Sequence, residues 1–344
     1  MIYAGADGNT VRQISKVIGK ELIKRHSLHE TVAVENEEAI PKKRKKHADE
    51  VESTESIKIY VANKIFVQEG FQVLPNYSKI VKDDFECDLQ EINFADNPRA
   101  VETVNSFVKD ATKDMISEII SPADINPQTV AAIINAVYFN GLWEKPFDTR
   151  KKRIFYSNPE REIDFMGTRP EKGDWNFREG RDWTALGIPY KFRKAWMFIV
   201  LPKEKDGLSG LMKKADFKFF ENVTKRHRSG KLGITIPLID VETKIDLPIY
   251  LNKLGISDAF DERCDLSKMF EGGANASIGK ALHKAAIKVD ECGTEASAAS
   301  FGAPRAVSSP GFFAATHPFL YFITSSESSK SITPKDILFI GTFC

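Results

Sequence analysis

Cysteine is scarce: four in 344 residues, at positions 87, 264, 292 and 344, with no C-x-x-C pair. That excludes a disulfide scaffold, a zinc knuckle and a redox dithiol, and the four read as free thiols. Excess charge is lacking too. Forty-nine Lys+Arg oppose 48 Asp+Glu, for a formal net charge of +1, so the chain has no global field to recruit the phosphates of a nucleic acid. No apolar run approaches the ~18 residues of a membrane span; the strongest, around Trp196 to Leu201, is strand-sized. The start shows no charged segment followed by an apolar one, so no signal peptide is visible. Catalytic signatures are missing as well. There is no G-x-S-x-G, H-E-x-x-H, Walker A or G-x-G-x-x-G, and no serine, histidine or aspartate sits in a recognisable nucleophile context. This reading assigns no catalytic residue, no metal ligand and no cofactor. His283 and His317 fall in strand-like segments and read as structural; His26, His29, His47 and His227 lie in polar surroundings and read as exposed.

What is present is a folding composition. Hydrophobic residues make up 42% and charged residues 28%, and a chain this long can bury a large core without staples. Residues 9 to 24 predict a helix capped by Thr10, with Val11, Ile14, Val17, Ile18 and Leu22 at helical spacing. A stripe of Val104, Phe107, Val108, Ala111, Met115 and Ile119 predicts a second helix, closed off by Pro122 and Pro127. Strands are predicted over 57 to 74, 130 to 139, 184 to 202 (as a hairpin) and 231 to 247. Pro248 opens a short helix that Leu251 to Phe260 continues, and four strands fill the last third: 285–289, 312–315, 318–323 and 337–343. Helices and strands mix without regular βαβ alternation, and no clean linker appears, so the expected fold is α+β in a single domain over 1–344.

One loop stands out. Residues 291–311 join two predicted strands and exceed the ~12–15 residues usual for a connection. The stretch Thr294 to Ser300 is built of small side chains, with Glu295 its only charge. Such a segment suits exposure, yet it is narrow enough to slide between two strands. Inserted, Thr294, Ala296, Ala298 and Ser300 would face one side; Glu295, Ser297 and Ala299 would face the other. No proline interrupts the N–H groups before Pro304, and Gly293 offers a pivot. From the residues alone, a solvated loop and an insertable strand both remain open.

The stretch Lys288-Val-Asp-Glu-Cys-Gly-Thr-Glu-Ala-Ser-Ala-Ala-Ser300 closely resembles the hinge of the serpins. So do Asn135-Ala-Val-Tyr-Phe-Asn-Gly-Leu-Trp-Glu-Lys-Pro-Phe147, with Trp143 at the top of the main sheet, and Ala62-Asn-Lys-Ile-Phe-Val67. Leu254 to Phe260, His317 to Ile323 and Ile337 to Gly341 are similar as well, in the family's order and spacing. The resemblance implies the serpin fold: a large central β-sheet, two further sheets, surrounding helices and an exposed reactive-centre loop, here 291–311. It departs from the pattern at Phe107, where the family has tryptophan, and at Pro237-Leu-Ile-Asp240. Since the chain opens near the family's Ala4–Thr10 segment and stops at Cys344, the resemblance also implies an N-terminally truncated chain, without a helix, a strand and most of a second helix.

The function implied is irreversible suicide inhibition of a serine protease through a covalent acyl complex, with no catalytic residue of the inhibitor's own. Glu291, Gly293, Thr294, Glu295, Ala296, Ser297, Ala298, Ala299 and Ser300 would form the hinge. Fourteen residues beyond Gly293, and eleven before Pro318, both counts place the reactive bond at Val307–Ser308, which suits an elastase-like protease; Arg305–Ala306 is the trypsin-like alternative. Family members that act as carriers or chaperones instead carry bulky or charged hinges, and here only Phe301 is bulky. A basic run, Lys42, Lys43, Arg44, Lys45 and Lys46, reads as a solvated surface, a sulfated-polysaccharide site or a nuclear-import signal; seven acidic residues within 35–55 outweigh its five cations. Sequons at Asn76, Asn222 and Asn275 lean towards a secreted, extracellular protein, with the cytoplasm as alternative. No nucleic acid or membrane partner is expected, and the protein is expected to be a monomer.

Overall fold

Strand Ala131–Gly141 reads as an almost unbroken apolar run because both of its faces are covered. It lies at the middle of a five-stranded sheet in a computed structural model that describes residues 1–18, 57–227, 230–272, 276–291, 311–326 and 334–344. Five strands form that sheet: β1 (Ile57–Gln68), β2 (Asp88–Ile92), β3 (Ala131–Gly141), β10 (Ile239–Asp246) and β11 (Ile278–Val289), in the order β10-β11-β3-β1-β2. The chain divides into two compact units. The first comprises Met1–Val51, Tyr60–Tyr138 and Glu242–Ala286; the second comprises Glu52–Ile59, Phe139–Val241 and Ile287–Cys344.

In the first unit, strand alternation sorts side chains into two cores. One face collects Ala62 and Phe66 of β1, Ala132, Ile134, Ala136 and Tyr138 of β3, and Leu282 and Ala286 of β11. Across it lies helix α4 (Asn97–Ala111), through Ala100, Val104 and Val108. The other face collects Ile65, Val67, Ala131, Ile133 and Ala281. Tyr77 and Val81 of α3 (Pro75–Phe85) join that core, as does Ile14 of α2 (Gly8–Ile18), which follows the short α1 (Ile2–Gly5). Phe107 packs edge-on against Phe66 at 5.9 Å, with the Lys64 ammonium 4.1 Å from its ring centroid. The predicted helix over 104–119 stops at Ala111. Lys113 and Asp114 turn into positive φ (55° and 64°), and Thr112 Oγ1 closes the turn by donating to Val108 O and accepting from Ile116 N. Asn105 Oδ1 then accepts the N–H groups of Ile119 and Ile120, so both are buried without a helix, whereas Met115 is exposed. Helix α7 (Leu247–Lys253) likewise ends early, before Gly255 at φ +94°, and a separate 3-10 turn covers Asp258–Phe260.

The second unit contains two complete antiparallel-rich sheets. The strands β4 (Thr149–Phe155), β5 (Arg161–Lys172), β9 (Lys231–Pro237) and β12 (Gly311–Ala314) run in the order β12-β9-β5-β4. The strands β6 (Asn176–Glu179), β7 (Trp183–Pro189), β8 (Ala195–Pro202), β13 (Phe319–Ser326) and β14 (Pro334–Phe343) run in the order β14-β13-β8-β7-β6. Every residue of β8 is buried, and it pairs with β7 on one side and β13 on the other. Helices α5 (Leu208–Met212) and α6 (Phe217–Thr224) add Leu211 and Val223 to this core. Cys87 and Cys264 are buried free thiols, their pKa pushed up to about 11 by burial; Cys344 is free and exposed, and Cys292 lies outside the described residues.

Candidate functional site

The described structure reaches the candidate loop at both ends and holds each end firmly. On the near side, β11 ends at Val289. The Asp290 carbonyl then accepts the Trp143 indole N–H at 2.9 Å, and the Glu291 carbonyl accepts the Phe147 backbone N–H at 2.8 Å. Trp143 is buried and stacks on Tyr190, with ring centroids 4.4 Å apart and planes 13° apart. Phe147 meets its edge at 5.8 Å. Gly141 allows the stack to form, because a Cβ there would lie 2.8 Å from the Tyr190 ring. The Arg150 guanidinium donates to Asp164 at 2.8 Å and reaches the Glu291 carboxylate at 3.7 Å. The hydrogen bond between the two groups raises the pKa of Arg150 and lowers that of Asp164.

On the far side, β12 pairs parallel with β9: Gly311 lies opposite Leu232 and Ala314 opposite Thr235. Phe313 is buried. Beyond it, His317 Nε2 donates to the Pro202 carbonyl at 2.8 Å and is buried, so the imidazole is a structural clamp. Residues 292–310, which include Gly293, Thr294, Glu295, Ala296, Ser297, Ala298, Ala299, Ser300, Arg305, Ala306, Val307 and Ser308, lie outside the described residues, as do Lys42, Lys43, Arg44, Lys45 and Lys46.

The third part of the site is the seam between β3 and β11, adjacent strands with no strand between them. A chain that leaves the end of β11 and folds back beside it lies antiparallel to β11. A line of side chains closes it on one face. His283 Nδ1 of β11 donates to Asn135 Oδ1 of β3, and Asn135 Nδ2 donates to Asn63 Oδ1 of β1. From the opposite side of β11, the buried Lys284 ammonium reaches Glu242 of β10 at 2.5 Å and donates to the Glu118 carbonyl. These residues all belong to the first unit.

Burial lowers the pKa of His283. Its neutral form, protonated at Nδ1, satisfies the line, so its contribution to stability is full above the ordinary histidine value of about 6.5. The unfolded chain binds a proton there before the folded chain does, so this contribution is lost as pH falls through that value towards the lower folded pKa. Thermal unfolding between pH 7.5 and 5.0 is expected to show the wild type losing more of its midpoint than His283→Gln does. Parallel losses would show that His283 does not titrate with the fold.

Of the residues singled out from sequence, the structure sets Trp143 on the Asp290 carbonyl and Phe147 on the Glu291 carbonyl. Sequence reasoning missed Arg150 and Asp164, which sit in strands whose polar alternation marks nothing, and Tyr190, which only the pairing of Trp143 with Tyr190 reveals. No helix among the described residues is long and apolar enough to cross a membrane.

Known proteins resemble this chain over most of its length. The family model described as Serpin (serine protease inhibitor) matches residues 1–344. Antichymotrypsin-2 of Bombyx mori is 28% identical over 327 residues, covering 92% of this chain and 83% of its own. The leukocyte elastase inhibitor of Xenopus tropicalis is 30% identical over 353 residues, covering 100% and 89%. Among solved structures, Arabidopsis AtSerpin1 in its native stressed conformation superimposes with a TM-score of 0.79 at 25% identity, over 99% of this chain and 87% of that one.

Proposed function

The chain belongs to the serpin family, described as serine protease inhibitors and not as enzymes, and on that premise we propose that it inactivates a serine protease irreversibly by suicide inhibition. One observation carries the reading: in the sequence the small-residue run Thr294–Ser300 follows Glu291, whose carbonyl is anchored just past the end of β11, and β11 has β3 as a neighbour in its sheet. The protease serine adds its hydroxyl oxygen to the Val307 carbonyl carbon. The Val307–Ser308 amide bond then breaks, the protease histidine hands the serine's proton to the departing Ser308 nitrogen, and Val307 remains as an ester on the protease. With the chain severed, residues from Gly293 onward enter the seam as a strand and carry the acylated protease along before water can release it. The native state is held by a kinetic barrier and is not the lowest in energy.

Valine before the bond directs the inhibitor to elastase-like proteases; cleavage at Arg305–Ala306 would direct it to trypsin-like ones. The resemblance to a leukocyte elastase inhibitor supports the first. The protein acts as a single-domain monomer and outside the cell. Both described sequon asparagines, Asn76 and Asn222, are exposed there.

Incubation with pancreatic elastase and with trypsin tests the reading. The expected result is a protease–protein band that survives boiling in detergent, with a released carboxy-terminal peptide beginning at Ser308. A peptide beginning at Ala306 moves the bond to Arg305. Cleavage with no stable band overturns suicide inhibition and favours a carrier or chaperone role.

A further inference from the structure

The strand that receives the far end of the loop also displays an unusual surface. In β9, Leu232, Ile234 and Ile236 face the core and are buried, which turns Lys231 and Gly233 to the opposite face. Residues directly opposite one another on neighbouring strands point to the same side. Phe312 of β12 lies opposite Gly233, and Lys172 of β5 lies opposite Lys231. Phe312, Lys231 and Lys172 therefore form a row across three adjacent strands of one sheet face.

Each member of this row is poorly explained by folding. Phe312 is 70% exposed. Its ring lies over Gly233, where a Cβ would be 2.7 Å away, so the glycine makes room for an aromatic ring that buries little. The two lysines oppose like charges at a cross-strand pair, which is destabilising. Neither pairs with a carboxylate among the described residues. Asp174 is already shared by Arg193 at 2.6 Å and Arg226 at 3.6 Å, and Glu171 holds Lys145.

Position supplies the missing explanation. Gly311 precedes Phe312 and lies opposite Leu232. The chain from Val307 to Gly311 spans at most about 14 Å, and a neighbouring strand adds about 5 Å. The bond proposed for cleavage is thus tethered within about 20–25 Å of Lys231. A protease–inhibitor interface covers about 800 Å² per partner, a disc of roughly 16 Å radius, so a protease seated on that bond brings its rim onto this face.

We propose that Phe312, Lys231 and Lys172 form a docking surface for the attacking protease, and that it selects proteases whose rim around the active-site cleft is acidic with an apolar patch. This rests on the proposed inhibitory function. An exposed aromatic flanked by desolvatable cations fits a protein rim. Two lysines around a benzyl ring are a poor match for a sulfated chain, which follows a longer row of cations. Charges at a rim act on the association rate more than on the final complex, and their effect falls with ionic strength.

The test uses the cationic and anionic forms of trypsin or of elastase, whichever primary specificity cuts the loop. For wild type, Lys172→Glu/Lys231→Glu and Phe312→Ala, both the second-order rate of complex formation and kcat/KM for loop cleavage are measured at 25 and 300 mM salt. At low salt, the charge variant is expected to slow the anionic protease by about ten-fold, to slow the cationic one not at all, and to lose its salt dependence. Phe312→Ala is expected to slow the anionic protease several-fold at both salt levels, and the number of inhibitor molecules consumed per protease stays constant. A control, Lys79→Glu/Lys82→Glu on exposed lysines of α3, carries the same change of net charge and leaves the rates unchanged. Equal rates for wild type and charge variant, or equal losses with both proteases, overturn the proposal. So does loss of heparin-fragment binding in the charge variant with protease rates unaltered, which would make the face a polysaccharide site. If the protein forms no stable complex with any protease, the cleavage rates still decide the docking surface, and the two failures stay distinct.

Discussion

Replacing Ala298 by aspartate is expected to turn the protein from an inhibitor into a substrate: the loop is cut as fast as before, and the stable complex disappears. Two processes race. In the proposed mechanism, insertion of the loop after acylation competes with hydrolysis of the ester, and the faster process determines the product. Alternation places Ala298 on the same side as Thr294, Ala296 and Ser300, none of which carries a charge. A carboxylate there would have to enter a sheet whose neighbouring strand, β3, is buried along most of its length. An uncompensated buried charge costs about 3–5 kcal/mol. Even half of that in the insertion barrier slows it by about ten-fold or more, at 1.4 kcal/mol per factor of ten. Denaturing gels and turnover stoichiometry read the result. Ser297→Asp, on the side that already carries Glu295, is expected to retain most of the complex. An undiminished complex with Ala298→Asp would mean that the segment does not insert in this register, or does not insert at all.

The second large effect concerns Trp143. Its removal empties a buried site that stacks on Tyr190 and meets Phe147, and it removes the indole N–H that donates to the Asp290 carbonyl. Truncating a buried tryptophan costs about 3–5 kcal/mol, so Trp143→Ala is expected to lower the thermal midpoint by about 5–10 °C at a fixed scan rate. Trp143→Phe keeps most of the stack and loses the indole N–H. It is expected to lose about 1 kcal/mol and to make the chain beyond Glu291 more readily nicked by proteases, because one hydrogen bond that pins the near end is gone. An unchanged midpoint for Trp143→Ala would show that the anchor lies elsewhere, with Arg150 and Phe147 sufficient.

Much of the architecture is legible in the residue pattern, for reasons that can be named. β3 and β8 read clearly because strands buried on both faces are continuous apolar runs. β4 escapes notice because it is a basic, exposed edge strand in which five of seven residues face water, so nothing apolar recurs. Half of β11 escapes for a different reason. Lys280, His283 and Lys284 break its apolar run, although all three are engaged: Lys280 with Asp246, His283 with Asn135, and Lys284 with Glu242. Tertiary partners that neutralise a polar side chain cannot be seen from the strand that carries it. The helix over 97–111 is legible at its core face, but its end is not. Two residues in left-handed conformation close it, and neither Lys113 nor Asp114 announces that geometry. At the site, Glu291 and Trp143 stand out in the sequence, whereas the arginine and tyrosine that fix them are ordinary residues whose role arises only from placement.

The line Asn63–Asn135–His283 has a consequence for how this sequence can drift. Asn135 donates a hydrogen bond to one neighbour and accepts one from the other, so each end of the line is judged through the middle. Substituting Asn135 orphans two partners at once, while substituting either end changes what the centre must satisfy. The three positions form an epistatic set: the fitness of a residue at one is defined only by the residues at the other two. A lineage can leave this combination by passing through a weaker intermediate or by changing several positions together. Asparagine and histidine, although individually replaceable in a strand, are here inherited as a block.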